Sequence, residues 1–357
     1  MSQSATEPLP KPTAIDLFSG CGGLTLGLKK AGYRVIGAVE NDKLAAETFE
    51  LNHPKTYVFK RDIRDLPLKT VTEKLGLEPG QLTLLAGCPP CQGFSTLRTR
   101  NGAVQIAEPM NDLVYEFVRF AEGLRPQAVM MENVPGLATD ERIEEIKASL
   151  EAIGYQCDYK VFNAAEFGAP QRRRRMILIG LQGRKPEFAE PSKRRRTVKS
   201  VIGALPPAGK SGDPLHDYEV RRAHHVQQII KSIPVDGGSR RDLPKALQLK
   251  CHKDFDGYRD IYGRMAWSKP SPTITGGCIN PSKGRFLHPE HDRAITLREA
   301  AMLQGFPKNF KFDVSKGRYP TAQMIGNAFP PIFAQKHATA LLAQLNARTA
   351  NKDANSQ

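Results

Sequence analysis

The sequence predicts an α/β protein built on a doubly wound, mostly parallel sheet, with a smaller irregular module inserted late in the chain. Two observations carry that expectation. Short apolar runs alternate with helical stretches through the first half, and several runs end in glycines or polar residues, as strands do at a ligand-binding sheet edge. The alternation then stops for one long stretch and resumes near the C-terminus.

The elements follow in order. Residues 13–20 read as a strand running into glycines, and 24–31 as the helix after it. Residues 34–40 and 43–51 repeat that unit. Tyr57-Val58-Phe59 leads into Arg61-Asp62-Ile63, and 82–86 is a short buried strand. Residues 111–124 form an amphipathic helix, with Leu113, Val114, Phe117, Val118, Phe120 and Ala121 available to one face. A strand at 127–132 and a helix at 141–153 follow, then a strand at 176–180. From 184 to 264 no period is sustained, and Pro, Gly, His and Arg dominate; this reads as an irregular module or a second domain of short strands. Helical periodicity returns at 296–303 and 331–345. The last residues, 351–357, are polar and expected to fray.

Composition narrows the function. The chain has 357 residues, a net charge of +15 and a pI near 9.6. A charge of that size points to a polyanion, most often nucleic acid. Segment 184–264 holds 18 Lys/Arg against 10 Asp/Glu, so +8 of the +15 lies there. No run approaches the ~20 apolar residues of a membrane span, and 1–12 lacks a signal-peptide core. The six cysteines are scattered, which fits free thiols in a reducing compartment. The expected location is therefore the cytoplasm.

The chemistry concentrates at strand ends. Gly87-Cys88-Pro89-Pro90-Cys91-Gln92-Gly93-Phe94 follows the strand at 82–86; its prolines and glycines force an ordered loop at the sheet edge. That loop presents a cysteine, a nucleophile once it is a thiolate. Cys88 and Cys91 also make a C-x-x-C, but a zinc site needs two further ligands at short spacing, and a thioredoxin-like pair opens a helix near the start of its domain. Asp16-Leu17-Phe18-Ser19-Gly20-Cys21-Gly22-Gly23 joins the first strand to the first helix, where glycines let a backbone approach a ligand. Glu40 ends the second strand, placed to accept from ribose hydroxyls, and Asp62 ends the third, placed to accept from an adenine amino group. Glu132-Asn133-Val134-Pro135 closes the fifth predicted strand and puts an acid on the cysteine's edge of the sheet. Gln171-Arg172-Arg173-Arg174-Arg175 enters the next strand, where alternation points Arg173 and Arg175 the same way.

These motifs, with Ser271-Pro272-Thr273-Ile274-Thr275, Leu297-Arg298-Glu299, Gln304-Gly305-Phe306-Pro307 and Gln323-Met324-Ile325-Gly326-Asn327-Ala328, resemble in residues and order those of the prokaryotic C5-cytosine DNA methyltransferases. The resemblance runs from Ile15 to about Leu345, omitting 184–264. It implies a class I, Rossmann-like catalytic domain of 12–182 plus 320–348 and a target-recognition domain of 184–319. It implies S-adenosyl-L-methionine as cofactor, held by Phe18, Gly20, Gly22, Gly23, Leu24, Glu40, Asn41, Asp62, Ile63, Asn327 and Ala328. Cys91 would attack C6 of a flipped-out cytosine, Glu132 would activate N3, and Arg173 and Arg175 would grip the base O2 and nearby phosphates. Ser95 and Thr273 would touch DNA, and the basic run Lys193, Arg194, Arg195 and Arg196 would contact phosphates. No metal is implied. The partner would be double-stranded DNA, in the nucleoid, bound by a monomer; a cognate restriction endonuclease would be a separate chain. Arg174 stands where the family usually has Glu, which bears on salt bridging around Arg173 and Arg175. Two rivals remain. The family's tRNA-methylating branch carries a Cys-Phe-Thr tripeptide that is absent here, and a catalytically silent homologue would not need Cys91, Glu132 and Arg175 intact.

Overall fold

A computed structural model describes residues 11–90, 113–249 and 260–354. Its centre is a seven-stranded sheet of order β3-β2-β1-β4-β5-β7-β6. The strands are β1 (Thr13–Leu17), β2 (Arg34–Val39), β3 (Tyr57–Phe59), β4 (Leu84–Gly87), β5 (Ala128–Asn133), β6 (Tyr155–Asn163) and β7 (Arg174–Gln182). Strands β1 to β5 pair in parallel, and β7 runs antiparallel between β5 and β6. The expected strand at 176–180 is thus the middle of a longer antiparallel strand, and 155–163, assigned to no element from sequence, is its edge partner. From β1 the chain moves outward through β2 and β3, then returns to β4 on the other side. That reversal opens a crevice at the carboxyl ends of β1 and β4, where doubly wound sheets bind ligands.

Alternating side chains sort the sheet into two cores. On one face Ile15, Leu17, Leu85, Val129, Met131 and Leu178 pack with α4 (Leu113–Leu124) and α5 (Arg142–Ala152). Phe117 and Phe120 of α4 are fully buried, and each such ring is worth roughly 1.5–3 kcal/mol of transfer free energy. On the other face Ala14, Leu84, Ala86, Met130, Ile177 and Ile179 pack with α1 (Gly23–Lys30) and the last helix, α10 (Pro331–Ala354). Helices α2 (Lys43–Asn52) and α3 (Leu68–Leu75) complete the first half. The start expected for the helix at 111 lies outside the described residues.

Past β7 the described residues hold short helices and turns: α6 (Val198–Ile202), α7 (His224–Ser232), several 3₁₀ turns and isolated bridges. Of the two readings of this stretch, the irregular one holds among the described residues. Hydrogen bonds from one buried side chain replace a backbone ladder. The guanidinium of Arg264, fully buried, donates to the carbonyls of Ile230, Ile233, His288 and His291 and pairs with Asp292. Around it Ile229, Ile233, Tyr262 and Leu287 form a small satellite core. Helices α8 (Leu297–Gln304) and α9 (Arg318–Asn327) then lead into α10. Thr296 and Glu299 cap α8 reciprocally. Arg298 pairs with Asp213 and Glu299 with Arg293, so these residues work as internal scaffolding. Cys21, Cys88, Cys157 and Cys278 are free thiols.

Candidate active site at the sheet edge

The glycine loop lies at the carboxyl end of β1 and is held open by its neighbours. Glu40, just past β2, accepts the amide of Gly20 at 2.7 Å and that of Asp42 at 2.8 Å. Its carboxylate therefore buckles the loop as well as facing the crevice, and burial holds its pKa above the usual value. Phe18 adopts a positive φ of 58°, a costly conformation outside glycine that marks a constrained, ligand-facing turn. Gly20 is also left-handed, and a Cβ built there would meet nothing within 4 Å, so open space lies before the loop. Asp16 is fully buried behind it. Its Oδ2 accepts the Thr25 hydroxyl at 2.6 Å, while Oδ1, like the Ser19 hydroxyl, has no protein partner. Desolvation raises the Asp16 pKa to about 7. Two orphaned oxygens, one of them on a carboxyl group that a nearby cation would ionise, beside an open glycine loop fit a ligand that carries positive charge and hydrogen-bond donors.

Two strands away, β5 ends in Glu132-Asn133. The Glu132 carboxylate lies 2.7 Å from Nε of Arg175, with both side chains largely buried. Asn133 donates to the carbonyl of Pro89 at 3.1 Å, and the Cys88 amide donates to Leu17, so the root of the proline loop is tied to β5 and β1. Cys88 adjoins this pair. Its thiol is pushed well up by burial and then by the charge of Glu132, so it stays protonated and packs as a small apolar group. Cys91 and Ser95 lie outside the described residues.

Arg173 and Arg175 do come together, but in different employment. Arg173 is buried, and its Nη1 donates to the carbonyls of Ile274 and Gly326 at 3.0 Å. Burial and the neighbouring Arg175 charge lower its pKa to about 9. It is a clamp between three segments, and its buried Nε has no partner. Arg175 keeps the carboxylate side of the site, and Arg174 is exposed. The counter-charge for this pair therefore comes from Glu132, and the unusual residue at 174 leaves it intact. Gln171 extends the clamp, donating to Leu303 and Gln304 and accepting from Ile274. The Thr273 hydroxyl donates to the Arg172 carbonyl at 2.7 Å, so that proton is already committed within the protein.

The C-terminal motif returns to the glycine loop as the sequence suggested. A Cβ on Gly23 would fall 2.5 Å from the Phe329 carbonyl and 3.4 Å from Ala328. Asn327 is exposed at the end of α9, and Ala328 is buried. Leu24 and Ile63 point their side chains into the two cores, leaving only their backbones for a ligand. Asn41 is exposed, and Asp62 holds Arg64 through both oxygens at 2.9 and 2.5 Å. Lys193, Arg194, Arg195 and Arg196 are exposed. Sequence reasoning assigned no role to Asp16, Asn133 or Gln171. Asp16 had a visible signal, an acid inside an otherwise apolar strand just before the glycine loop; the other two depend on partners tens of residues away.

Sheet order, one antiparallel strand and a glycine crevice beside an acid–arginine pair define a class I methyltransferase architecture. The profile described as C-5 cytosine-specific DNA methylase matches residues 13–343. The chain belongs to that family. It is 36% identical over 333 residues to the Type II methylase M.HgiDII of Herpetosiphon aurantiacus, covering 88% of this chain and 91% of that one. It is 35% identical over 336 residues to the Type II methyltransferase M1.HphI of Haemophilus parahaemolyticus, covering 92% and 86%. Among solved structures, a protein assigned as a DNA modification methyltransferase encoded within an E. coli prophage superposes with a TM-score of 0.69 at 27% identity, covering 94% of this chain and 99% of that one. No helix among the described residues is long and apolar enough to cross a membrane.

Proposed function

We propose that this enzyme transfers a methyl group from S-adenosyl-L-methionine to C5 of a cytosine within a specific double-stranded DNA sequence. The observation that carries this reading is the Glu132–Arg175 pair set against the root of the Cys91 loop, two strands from an open glycine cradle. The cradle of Phe18, Gly20 and Gly22 would hold the cofactor, with Glu40 toward its ribose and Asp62 toward its adenine. The unpartnered Oδ1 of Asp16 suits its cationic amino-acid end. When bound, the cofactor supplies an electrophilic methyl group on a sulfonium.

The protein's own groups prepare the base. A stacked cytosine is out of reach, so the base must leave the duplex. The Cys91 thiolate adds to C6, forming an S–C6 bond and making C5 nucleophilic. Glu132 supplies a proton or strong hydrogen bond at N3, where the negative charge of that addition collects. Arg175 fixes the carboxyl group and Arg173 fixes the strand that carries Arg175. After methylation, loss of the C5 proton breaks the S–C6 bond and frees Cys91.

Residues 12–182 with 320–348 act as the catalytic unit, and 184–319 reads the DNA, with 184–264 setting the sequence. Phosphate contacts position such a module and base contacts specify. The enzyme acts as a monomer on the nucleoid, and a restriction endonuclease paired with it would be a separate chain. The test is to supply purified protein with methyl-labelled cofactor and either duplex DNA or tRNA, then to map the product by bisulfite sequencing. Label at C5 of one cytosine in a fixed duplex sequence is expected. Label on tRNA, or on an exocyclic amine, would overturn the reading.

A further inference from the structure

Most arginines of the irregular half that the ion pairs account for are neutralised within the fold. Arg221, Arg264, Arg285, Arg293 and Arg298 each hold a carboxylate, Arg221 that of Glu219 at 3.5 Å. Arg222 and Arg318 differ. Each spends one guanidinium nitrogen on a backbone carbonyl, Arg222 on Ile279 at 3.2 Å and Arg318 on Glu219 at 3.1 Å. Neither has a carboxylate within 4 Å among the described residues. Arg222 is half-buried, and Tyr319, Tyr262, Tyr218 and Arg318 lie within electrostatic range of it. The Arg318 guanidinium stacks on the Tyr218 ring at 5.0 Å, which fixes its plane. Tyr319 is 62% exposed beside them.

Among the described residues no carboxylate pairs with either guanidinium, and like charges near one another are costly unless an anion joins them. The patch has a fixed relation to the catalytic edge. Ser271 accepts from the Arg172 amide and donates its own amide to Pro170, and Arg173 donates to the Ile274 carbonyl; the same segment then runs to Ile279, whose carbonyl accepts from Arg222. Five residues of chain span at most about 17 Å, which is about five base pairs at 3.4 Å of rise. We propose that Arg222, Arg318 and Tyr319 form a phosphodiester-binding subsite that grips one DNA strand within about five base pairs of the target cytosine. This rests on duplex DNA being the substrate. It is separate from the Lys193–Arg196 run, whose side chains lack any such preorganisation.

The test uses full-length protein and fluorescent duplexes that contain the methylated site, with binding followed by anisotropy across salt concentrations. R222Q and R318Q should each lower the slope of log K against log salt by about 0.9, leave cofactor-product affinity unchanged, and weaken binding several-fold at physiological salt. R318K should keep the slope, since it keeps the charge. Wild-type protein should lose a similar slope on a duplex with one methylphosphonate near the target, and R318Q should lose nothing more on that duplex. This arm does not depend on how well R222Q folds. Equal slopes for folded variants and wild type, or no sensitive phosphate within five base pairs, would overturn the subsite. So would an R318-dependent displacement of duplex by inorganic phosphate at constant ionic strength, which would make this a free-phosphate pocket. Wild-type protein that methylates the duplex while the variants bind normally removes only this inference; wild-type protein that leaves the duplex unmethylated removes the reading beneath it.

Discussion

Asp16→Asn probes the cradle where its chemistry is most exposed to measurement. Asp16 is fully buried, with one oxygen on Thr25 and the other without a protein partner. Its pKa rises from 3.8 to about 7, chiefly through desolvation. The folded protein therefore holds a proton that the unfolded chain releases, between pH ~4 and ~7. The group's contribution to stability is full below the unfolded pKa and is lost as pH rises toward the folded one. Asparagine cannot ionise and escapes that loss. Each pH unit inside the window is worth about 1.36 kcal/mol. The stability of D16N relative to wild type should therefore grow by about 2.3 kcal/mol between pH 5 and pH 7, the slope falling off as pH reaches the folded pKa, then level off. Buried His53, His288 and His337 have pKa values lowered to about 4, 3 and 4, so they lose stability as pH falls below 6.5. They are common to both proteins and cancel in the difference. Urea unfolding of the ligand-free proteins at several pH values measures it. Adding S-adenosylmethionine at pH 8 should stabilise wild type more than D16N, because a cation then meets the ionised carboxylate. A pH-independent difference would refute the argument that this carboxyl group is an uncompensated buried acid.

Other consequences are more local. Glu132→Gln should slow single-turnover methyl transfer by ~10²–10⁴-fold while duplex affinity, measured by anisotropy, changes only a few-fold. Glu40→Ala removes the acceptor for the Gly20 and Asp42 amides as well as the ribose contact, so calorimetry should show S-adenosylhomocysteine binding weakened about tenfold or more. Gly326→Ala would place a Cβ 2.2 Å from the backbone carbon of Thr275, and the resulting shift of α9 should cost roughly 1–3 kcal/mol in urea unfolding.

The central parallel strands β1, β4 and β5 were legible because they are buried on both faces and so read as nearly continuous apolar runs. Strand β6 was not, because an edge strand of Tyr, Gln, Cys, Asp, Tyr and Lys is half exposed and carries no such run. Helix α3 buries fully only Val71, too little to leave a period. At the site, Glu132, Glu40 and the glycine loop stood out because strand ends concentrate them. The division of labour between Arg173 and Arg175 did not. Alternation places both on one side, but the carbonyls that occupy Arg173 lie 101 and 153 residues further along the chain. Arg264 was equally hidden: a lone arginine in an irregular stretch gives no sign that it will anchor four carbonyls.

The central claim is that Cys91 forms a covalent bond to a cytosine that the Glu132 side of the site activates. It is tested most directly by mixing the protein and S-adenosylmethionine with a duplex in which the target cytosine is replaced by 5-fluorocytosine, where the final loss of the C5 proton cannot occur. The account predicts a denaturant-stable protein–DNA adduct with wild type, mapped by peptide mass spectrometry to Cys91. Cys91→Ser should form no adduct yet retain S-adenosylhomocysteine binding. An adduct at Cys88, or one that survives in Cys91→Ser, would contradict it.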